Sequence, residues 1–443
     1  MISVSGLRGI VGESLTPLVA ARYVAAFAGT LKAGAIVVSR DGRESGPLLA
    51  QVVCGTLAAC GRRVLYADVA ATPTLGVLVR SHLAMGGVQI SASHNPAAYN
   101  GLKLFNADGR VLPASAGQPV LAAYRDSAFR WAAADKIGSQ QPLGDSTGQH
   151  VRLIEATVDV EAIRAKRFRV LLDSNCGAGS ILGQRLLANL GCEVMVVGGH
   201  PTGRFEHPPE PTAENLAGIS QQVRAAKVAV GFCQDPDADR LAIIDEAGRY
   251  VGEEYSLALC LDHVLRQRKG PVVTNCATSR MAEDLAAKYG APFYRAAVGE
   301  ANVVDKMLAV EAVFGGEGNG GPIDPRVGPV RDSFVGMAQV LAAMAQRDKK
   351  VSELAAELPR YEIVKRTAKL PAEKLADAFD AVQKRFADAR PDRLDGLRLD
   401  WPDRWLIVRG SNTEPIVRII AEAPTATAAE ELIAAASEVI AKL

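Results

Sequence analysis

The sequence predicts an α/β protein, and the order of its apolar segments is the main evidence. Through most of the 443 residues, short apolar segments alternate with longer amphipathic ones, as strands and helices do in α/β domains. The alternation restarts near residues 168 and 254, and it stops after Pro371. A chain of this length is also too long for one hydrophobic core. We therefore predict three related α/β domains with mixed sheets and a smaller C-terminal α+β domain.

The first domain is expected to occupy residues 1–150. Its predicted elements are helices at 16–33 and 47–61 and strands at 35–38, 63–67 and 88–92. A further helix starts at Thr72-Pro73-Thr74, because proline is favoured in the first helical turn. The polar stretch near 133–150 is expected to carry little regular structure.

The remaining domains are expected at 151–254, 255–365 and 366–443. The second includes predicted strands at 168–172, 193–197 and 228–232, and the third has helices at 254–268 and 332–346 around strands at 272–274, 292–295 and 312–314. The last is expected to contain a helix at 372–389, strands near 396–400, 404–408 and 416–421, and a final helix.

The composition argues against nucleic-acid-binding, membrane-spanning and secreted proteins. Lys and Arg total 50 against 49 for Asp and Glu, a net charge of +1, so no overall field attracts nucleic acid or an anionic membrane. No apolar run approaches the ~18 residues that a membrane span needs, and the N-terminal segment lacks the apolar core of a signal peptide. The seven cysteines show no paired spacing and are expected to be reduced. We expect a cytoplasmic protein without nucleic-acid or membrane partners.

The stretch 86–96 is the first candidate site. An apolar segment at 88–92 runs into a turn that contains Ser93 and the pair Asn95-Pro96. Pro96 cannot continue a strand ladder and disfavours a helical conformation at Asn95, so the chain must bend sharply there. The Ser93 hydroxyl would then lie on a stiff turn at a strand end, as a nucleophile or phosphate carrier requires. An ordinary turn is the alternative.

The segment Asp235-Pro236-Asp237-Ala238-Asp239-Arg240 is the second candidate site. It lies between two predicted strands, and carboxylates at alternate positions of an extended segment point to one side. Such a cluster of oxygen ligands suits Mg²⁺ or Ca²⁺, and the adjacent guanidinium can hold a phosphate. A solvated acidic loop is the alternative.

Two further loops carry polar groups. Glycines at 315–321 would let the backbone approach a ligand, while Glu317 and Asn319 can bind sugar hydroxyls. In the loop 409–415, a phosphate can be held by Arg409, Ser411, Asn412 and Thr413. Taken separately, each loop can also be a linker or an ordinary turn.

The order of these four motifs resembles that of the α-D-phosphohexomutases, which include phosphoglucomutase, phosphomannomutase and phosphoglucosamine mutase. The resemblance extends over the whole chain. It implies four domains around one central cleft and an intramolecular phosphotransferase that interconverts hexose or hexosamine 1- and 6-phosphates. The implied cofactors are Mg²⁺ and hexose 1,6-bisphosphate, the latter as intermediate and activator. The implied partner is a small-molecule sugar phosphate, and the expected state is a monomer or homodimer.

The resemblance also implies roles for individual residues. Ser93 would carry the phosphate, and the implied magnesium ligands are Asp235, Asp237, Asp239 and an oxygen of phosphorylated Ser93. Arg240 would steady this phosphate, and Arg8 and Lys103 match basic residues near the transferring group. The residues that match the sugar-hydroxyl site are Glu317 and Asn319, and those that match the clamp on the non-reacting phosphate are Arg409, Ser411, Asn412 and Thr413.

The sequence departs from the family pattern where many members carry histidines. The glycine-rich loop ends in Gly320-Gly321, and Glu300 follows Val298-Gly299. Lys103 and Arg8 therefore become the favoured groups for assisting proton transfer, and His94 is interpreted as a brace of the serine turn.

The identity of the sugar rests on two short motifs. Ser91-Ala92-Ser93 favours phosphoglucosamine mutase, whereas Glu317-Gly318-Asn319 fits phosphomannomutase or phosphoglucomutase equally well. A metal-dependent sugar-phosphate phosphatase and a non-catalytic sugar-phosphate-binding regulator are further hypotheses. Intact Ser93 and three intact aspartates argue against the regulator.

Overall fold

The computed structural model describes residues 2–3, 6–410 and 416–443, with side chains from residue 6 onward. It contains four separate sheets, three of them mixed and one antiparallel. This confirms the predicted fold class of three mixed-sheet α/β domains followed by an α+β domain. In this described part of the chain, no helix combines the length and the apolar character needed to cross a bilayer.

The first domain is built on a seven-stranded sheet. Its elements are β1 (Ile2–Ser3), β2 (Gly6–Ile10), α1 (Pro17–Thr30), β3 (Ile36–Arg40), α2 (Gly46–Ala59), β4 (Val64–Val69), α3 (Thr72–Ser81), β5 (Gly86–Ile90), β6 (Tyr99–Asn106), α4 (Ala114–Arg125) and β7 (Gln140–Pro142). The strand order is β1-β2-β6-β5-β3-β4-β7. Parallel pairing of β3 with β4 and β5 gives way to antiparallel pairing at β6 and β2, so the sheet is mixed.

The second domain has a four-stranded sheet. Its elements are α5 (Gly148–Glu155), α6 (Val160–Lys166), β8 (Arg169–Asp173), α7 (Gly179–Asn189), β9 (Glu193–Val197), α8 (Ala217–Ala226), β10 (Val230–Gln234) and β11 (Leu241–Asp245). The order is β11-β10-β8-β9, with only the β10–β11 pair antiparallel.

The third domain repeats this design. Its elements are α9 (Glu253–Gln267), β12 (Val272–Asn275), α10 (Met281–Tyr289), β13 (Phe293–Ala296), α11 (Glu300–Ala309), β14 (Phe314–Glu317), β15 (Gly321–Ile323), α12 (Ser333–Arg347) and α13 (Val351–Ala356). The order is β13-β12-β14-β15. Asp332 caps α12, since its carboxylate accepts the amides of Phe334 and Val335.

The fourth domain is smaller and its sheet is antiparallel throughout. Its elements are β16 (Glu362–Lys369), α14 (Leu375–Arg385), β17 (Arg390–Asp392), β18 (Leu397–Asp400), β19 (Trp405–Gly410), β20 (Ile416–Ala423) and α15 (Ala426–Ile440). The order is β16-β20-β19-β18-β17. Strand β16 lies across the predicted boundary at 365/366, and the exact domain boundaries stay predictions.

Two of the stretches that differ from the predicted secondary structure are 133–150 and 372–389. Residues 133–150 are more ordered than expected, because β7 pairs with β4 and α5 begins at Gly148. All residues of β7 are exposed, so this edge strand has no hydrophobic pattern to reveal it. The helix predicted at 372–389 is a 3₁₀ turn at 372–374 followed by the shorter α14.

Candidate active site

Ser93 lies in the turn between β5 and β6. Its side chain is buried, and its φ of +50° is left-handed, a conformation that costs a non-glycine residue about 1 to 3 kcal/mol. The amide of Ser93 donates to the Ser91 hydroxyl over 2.9 Å. Because β5 ends at Ile90, two residues earlier than predicted, both serines belong to the turn.

The three aspartates lie in a tight turn between β10 and β11, and not in an extended segment as predicted. Ala238 has a φ of +56° and reverses the chain there. One oxygen each of Asp235, Asp237 and Asp239 lies within 4.8 Å of the others, and all three residues are fully buried. The carboxylates therefore converge because the backbone turns, and not because alternate residues share one side of a strand. We call these residues the aspartate triad.

The serine turn and the aspartate triad are in direct contact. Ser93 Oγ donates a hydrogen bond to Asp235 Oδ2 over 2.7 Å, and the other oxygen of Asp235 accepts the amide of Arg240 over 3.2 Å. His94 Nδ1 lies 3.4 Å from the same hydroxyl. Burial and the charges of Arg240 and Arg8 lower the pKa of His94 to about 3, so its ring is neutral at pH 7.

Lys103 is bound by the triad. Its Nζ donates to Asp237 Oδ2 over 2.6 Å and to Asp239 Oδ2 over 2.9 Å, and the Thr72 hydroxyl donates to the same oxygen of Asp237 over 2.6 Å. The Oδ1 atoms of Asp237 and Asp239 are buried and have no hydrogen-bond partner among the described residues. Each of these carboxylates therefore keeps one oxygen for a further ligand.

The charges of the triad follow from these contacts. Burial and the neighbouring aspartates raise the pKa of Asp235 well above its ordinary value. Burial and Asp239 also act to raise the pKa of Asp237, but Lys103 and the hydrogen bond from Thr72 outweigh them and lower it. For Asp239, Arg331 and Lys103 together outweigh burial and lower the pKa. The pKa of Lys103 is raised despite burial, because it faces two carboxylates, so its amine is a cation at neutral pH.

Arg331 connects the triad to the glycine-rich loop, and the sequence analysis missed it. Its Nη2 donates to Asp239 Oδ2 over 2.7 Å, and its Nη1 donates to Glu317 Oε2 over 2.8 Å. The backbone amide of Arg331 donates to Glu300 Oε1 over 2.8 Å. Arg331 belongs to no glycine-rich or carboxylate motif, so no spacing in the sequence marks it.

Glu317 ends strand β14, although the sequence analysis placed it in a loop. Its Oε1 accepts hydrogen bonds from Asn275 Nδ2 over 2.8 Å and from the Gly299 amide over 3.0 Å. With Arg331 on Oε2, the carboxylate is fixed on both sides. Asn319 differs, because its buried Oδ1 accepts no hydrogen bond from any residue that the structure describes.

Gly318, between these two residues, lies against the carboxylate of Glu254. A Cβ atom at Gly318 would be 1.9 Å from Glu254 Oε2, far inside van der Waals contact. The Glu254 carboxylate is itself held by the Ser279 amide over 2.9 Å. A side chain at position 318 would therefore force the loop or the Glu254 carboxylate to move.

Two arginines predicted from the sequence lie beside the serine turn and the triad. Arg8 Nη1, from β2, donates to Asn95 Oδ1 over 3.1 Å. Burial lowers the pKa of Arg8, although the charges of Asp237 and Asp239 act in the opposite direction. Arg240 Nε lies 3.9 Å from Asp239 Oδ1.

The predicted phosphate clamp is described only in part. Arg409 Nε lies 3.0 Å from Asp395 Oδ2, and this oxygen also accepts the Val298 amide of the third domain over 3.1 Å. The other predicted clamp residues, Ser411, Asn412 and Thr413, lie outside the described residues.

Comparison with known proteins covers the whole chain. The phosphoglucomutase/phosphomannomutase models match residues 2–131 (alpha/beta/alpha domain I), 149–248 (domain II), 253–361 (domain III) and 364–439 (C-terminal domain). A phosphoglucomutase/phosphomannomutase of Thermococcus kodakarensis is 36% identical over 436 residues, 96% of this chain and 95% of the relative. A probable phosphoglucosamine mutase of Methanopyrus kandleri is 33% identical over 432 residues, 97% of this chain and 95% of the relative.

Solved structures share the fold. A phosphoglucomutase/phosphomannomutase family protein from Burkholderia thailandensis has a TM-score of 0.86 at 25% identity, covering 99% of this chain and 97% of that one. The Aspergillus fumigatus N-acetylphosphoglucosamine mutase in complex with GlcNAc-6P and magnesium has a TM-score of 0.56 at 16% identity. The match covers 83% of this chain and 92% of that one. Homologues and structures agree that this chain is a phosphohexomutase, and it belongs to the phosphoglucomutase/phosphomannomutase family.

Proposed function

We propose that the enzyme interconverts the 1- and 6-phosphates of its sugar through a phosphoserine at Ser93. The observation that carries this proposal is the hydrogen bond of 2.7 Å from Ser93 Oγ to Asp235, a member of a buried carboxylate triad. A hydrolytic serine is activated by an adjacent base. The ring nitrogen nearest Ser93 Oγ, His94 Nδ1 at 3.4 Å, is a weak base because its pKa is lowered to about 3. Ser93 Oγ instead donates to a carboxylate cluster that suits a metal ion, and a metal ion there would neutralise a phosphate on Ser93.

The triad fits a magnesium ion. It offers oxygen ligands alone, which Mg²⁺ prefers, and two of its buried oxygens have no hydrogen-bond partner in the described part of the chain. We propose Asp235, Asp237, Asp239 and an oxygen of phosphorylated Ser93 as the ligands. A bound magnesium ion would neutralise charge on the transferring phosphoryl group.

The remaining charge would be neutralised by Lys103, Arg8 and Arg240. In the first transfer, a sugar hydroxyl oxygen bonds to phosphorus, the bond from phosphorus to Ser93 Oγ breaks, and the hydroxyl proton ends on Oγ. The hexose 1,6-bisphosphate then turns round and returns its other phosphate to Ser93. Because two carboxylates hold Lys103 protonated, it serves as a donor to phosphate oxygens and not as a base.

The sugar would be bound by Glu317 and Asn319. The Glu317 Oε2 atom has one donor, Arg331, and a carboxylate oxygen can accept a second. Asn319 Oδ1 is a further acceptor without a partner within the described residues. Sugar hydroxyls can donate to both atoms. We propose that the clamp on the other phosphate consists of Arg409, Ser411, Asn412 and Thr413.

We propose glucosamine phosphate as the preferred substrate. The Ser91-Ala92-Ser93 form of the turn and relatives named probable phosphoglucosamine mutase support this choice, and mannose and glucose phosphates are the alternatives. We also propose a cytoplasmic monomer or homodimer. All seven cysteines are free thiols, as expected in a reducing compartment.

The test compares Ser93→Ala with Ser180→Ala. Ser180 is also fully buried, its hydroxyl donates to the Gly177 carbonyl over 3.1 Å, and neither residue belongs to the serine turn or the aspartate triad. With glucosamine, mannose and glucose 1-phosphates and catalytic bisphosphate, we expect wild type and Ser180→Ala to form the 6-phosphates, to release almost no inorganic phosphate, and to gain ~80 Da by intact mass.

Ser93→Ala should lose both the mass shift and the mutase activity. Full mutase activity in Ser93→Ala would disprove the phosphoserine. Steady release of inorganic phosphate by wild type would instead support a phosphatase. The ranking of the three sugars tests the substrate proposal separately.

A further inference from the structure

We infer that Asp41 and Arg43 are positioning residues for phosphoryl transfer, because they hold both peptide groups of Ser93 in the conformation that directs its hydroxyl to the triad. The inference rests on the proposed phosphoserine role of Ser93. Both residues follow β3 in the first domain, and both are buried.

Arg43 binds the carbonyl side of the serine turn. Its Nη2 donates to the carbonyls of Ser93 over 2.7 Å and Asn95 over 2.6 Å. Its Nη1 donates to the carbonyls of Pro96 over 2.8 Å and Tyr99 over 3.0 Å. A guanidinium has five N–H donors in a planar fork, so four of them are used to fix this one turn.

Asp41 binds the amide side of the same turn. Its Oδ2 accepts the fifth donor, Arg43 Nε, over 3.1 Å, and the Ser91 hydroxyl over 2.7 Å. The Ser91 oxygen in turn accepts the amide of Ser93 over 2.9 Å. The carbonyl of Ser93 is therefore bound directly by Arg43, and its amide is connected to Asp41 through the Ser91 hydroxyl.

This fixation matters because Ser93 is strained. Its φ of +50° is unfavourable for a residue with a side chain, and such conformations persist only when the surroundings impose them. A turn released from Arg43 would relax and move Oγ away from Asp235. A lysine at position 43 keeps the charge but cannot span four carbonyls with a single ammonium.

The second domain encloses Arg43. The ring of Phe205 lies over the guanidinium, with 5.1 Å to the ring centroid. A Cβ atom on Gly203 would be 2.5 Å from Arg43 Cα, and one on Gly42 would be 2.3 Å from the Cys176 carbonyl oxygen. These close approaches put the ion pair at the contact between the first and second domains, next to the site where Ser93 meets Asp235.

The test compares Arg43→Lys with Arg62→Lys in the full-length protein. Arg62 is a matched control, since it also donates to backbone carbonyls of the first domain, those of Ala28, Leu31 and Lys32. The measurements are kcat and KM for a hexose 1-phosphate, the rate at which hexose 1,6-bisphosphate adds ~80 Da to the protein, and the midpoint of thermal unfolding.

We expect Arg43→Lys to lower kcat and the phosphorylation rate about a hundredfold, as a small misplacement of a reacting group does, while KM changes by less than about twofold. Arg62→Lys should keep wild-type kcat even where it lowers the unfolding midpoint. Ser91→Ala removes the acceptor of the Ser93 amide and its link to Asp41, while it leaves the hydrogen bonds of Arg43 to the turn in place, and we expect it to lower kcat about tenfold. This second variant keeps the test decisive if Arg43→Lys does not fold.

A folded Arg43→Lys protein with the wild-type phosphorylation rate would overturn the inference, and so would wild-type kcat in Ser91→Ala. Activity that falls only in proportion to the unfolded fraction, as for a purely structural residue, would overturn it too. A wild-type protein that never takes up the ~80 Da would instead overturn the phosphoserine itself, so the two failures are distinguishable.

Discussion

The hydroxyl of Ser93 donates to the carboxylate of Asp235 over 2.7 Å, although the two residues are 142 positions apart in the chain. The bond joins the turn after β5 in the first domain to the turn after β10 in the second. Both turns leave the carboxyl end of a strand, the edge at which α/β sheets bind their ligands. The candidate active site is therefore assembled where two domains present these edges to each other.

Lys103→Met should destabilise the metal-free protein. The substitution removes a buried cation from Asp237 and Asp239, and breaking a buried ion pair on one side costs about 3 kcal/mol or more. Magnesium should restore most of this loss, because the freed carboxylate oxygens gain a cation. Urea unfolding followed by circular dichroism, with EDTA or with Mg²⁺, measures both effects.

The control for this experiment is Lys166→Met. Lys166 pairs with Asp348 on the surface, and exposed ion pairs contribute little to stability, so we expect no measurable change. A free energy of unfolding that Mg²⁺ raises in neither wild type nor Lys103→Met would contradict a metal site in the triad.

Gly318→Ala should weaken sugar binding. The new Cβ atom would be 1.9 Å from Glu254 Oε2, so the loop between Glu317 and Asn319 or the Glu254 side chain that packs against it must move. We expect KM for the sugar phosphate to rise about tenfold, equivalent to about 1.4 kcal/mol of lost binding. Steady-state kinetics of the mutase reaction measure this change.

The matched variant is Gly218→Ala in α8, where a Cβ atom would meet nothing within 4 Å. Alanine in place of a helical glycine is expected to stabilise the protein slightly, with KM unchanged. An unchanged KM in Gly318→Ala would contradict this prediction.

His263 should make stability depend on pH. It is a buried residue of α9, and burial, with the charges of Arg266, Arg347 and Arg326, lowers its pKa from 6.5 to about 4, although Asp262 acts in the opposite direction. Between these values the unfolded chain binds a proton that the folded chain does not. The contribution of His263 is therefore complete above pH 6.5 and lost as the pH falls to about 4, by about 3 kcal/mol in total.

His263→Gln removes this titration while keeping a group that can hydrogen bond to Gln267. The free energy of unfolding of the variant should fall less steeply than that of wild type between pH 6.5 and 4. Parallel curves over this interval would contradict the prediction.

The serine turn and the aspartate triad are predictable from the sequence because each is a compact local motif. The types of residue in each motif indicate its chemistry even before the fold is known. Strand β7 was not predicted because its three residues are exposed and show no hydrophobic pattern. The extended conformation predicted for the aspartate segment was wrong, because a left-handed residue such as Ala238 cannot be recognised from the residue types.

Arg331 and the Asp41–Arg43 pair were missed for a different reason. Arg331 reaches Asp239 across 92 positions, and Arg43 reaches the Ser93 carbonyl across 50. Nothing in the neighbourhood of either arginine distinguishes it from a surface residue. Their partners become known only when the domains pack.

The sequence by itself determined the alternation of strands and helices, the four motifs and the family, because these depend on patterns over a few neighbouring residues. Only the tertiary structure decided which charges neutralise the triad and what holds Ser93 in a left-handed conformation. Those contacts join residues far apart in the chain, and burial makes each of them strong, since buried charges and carbonyls must find partners within the protein.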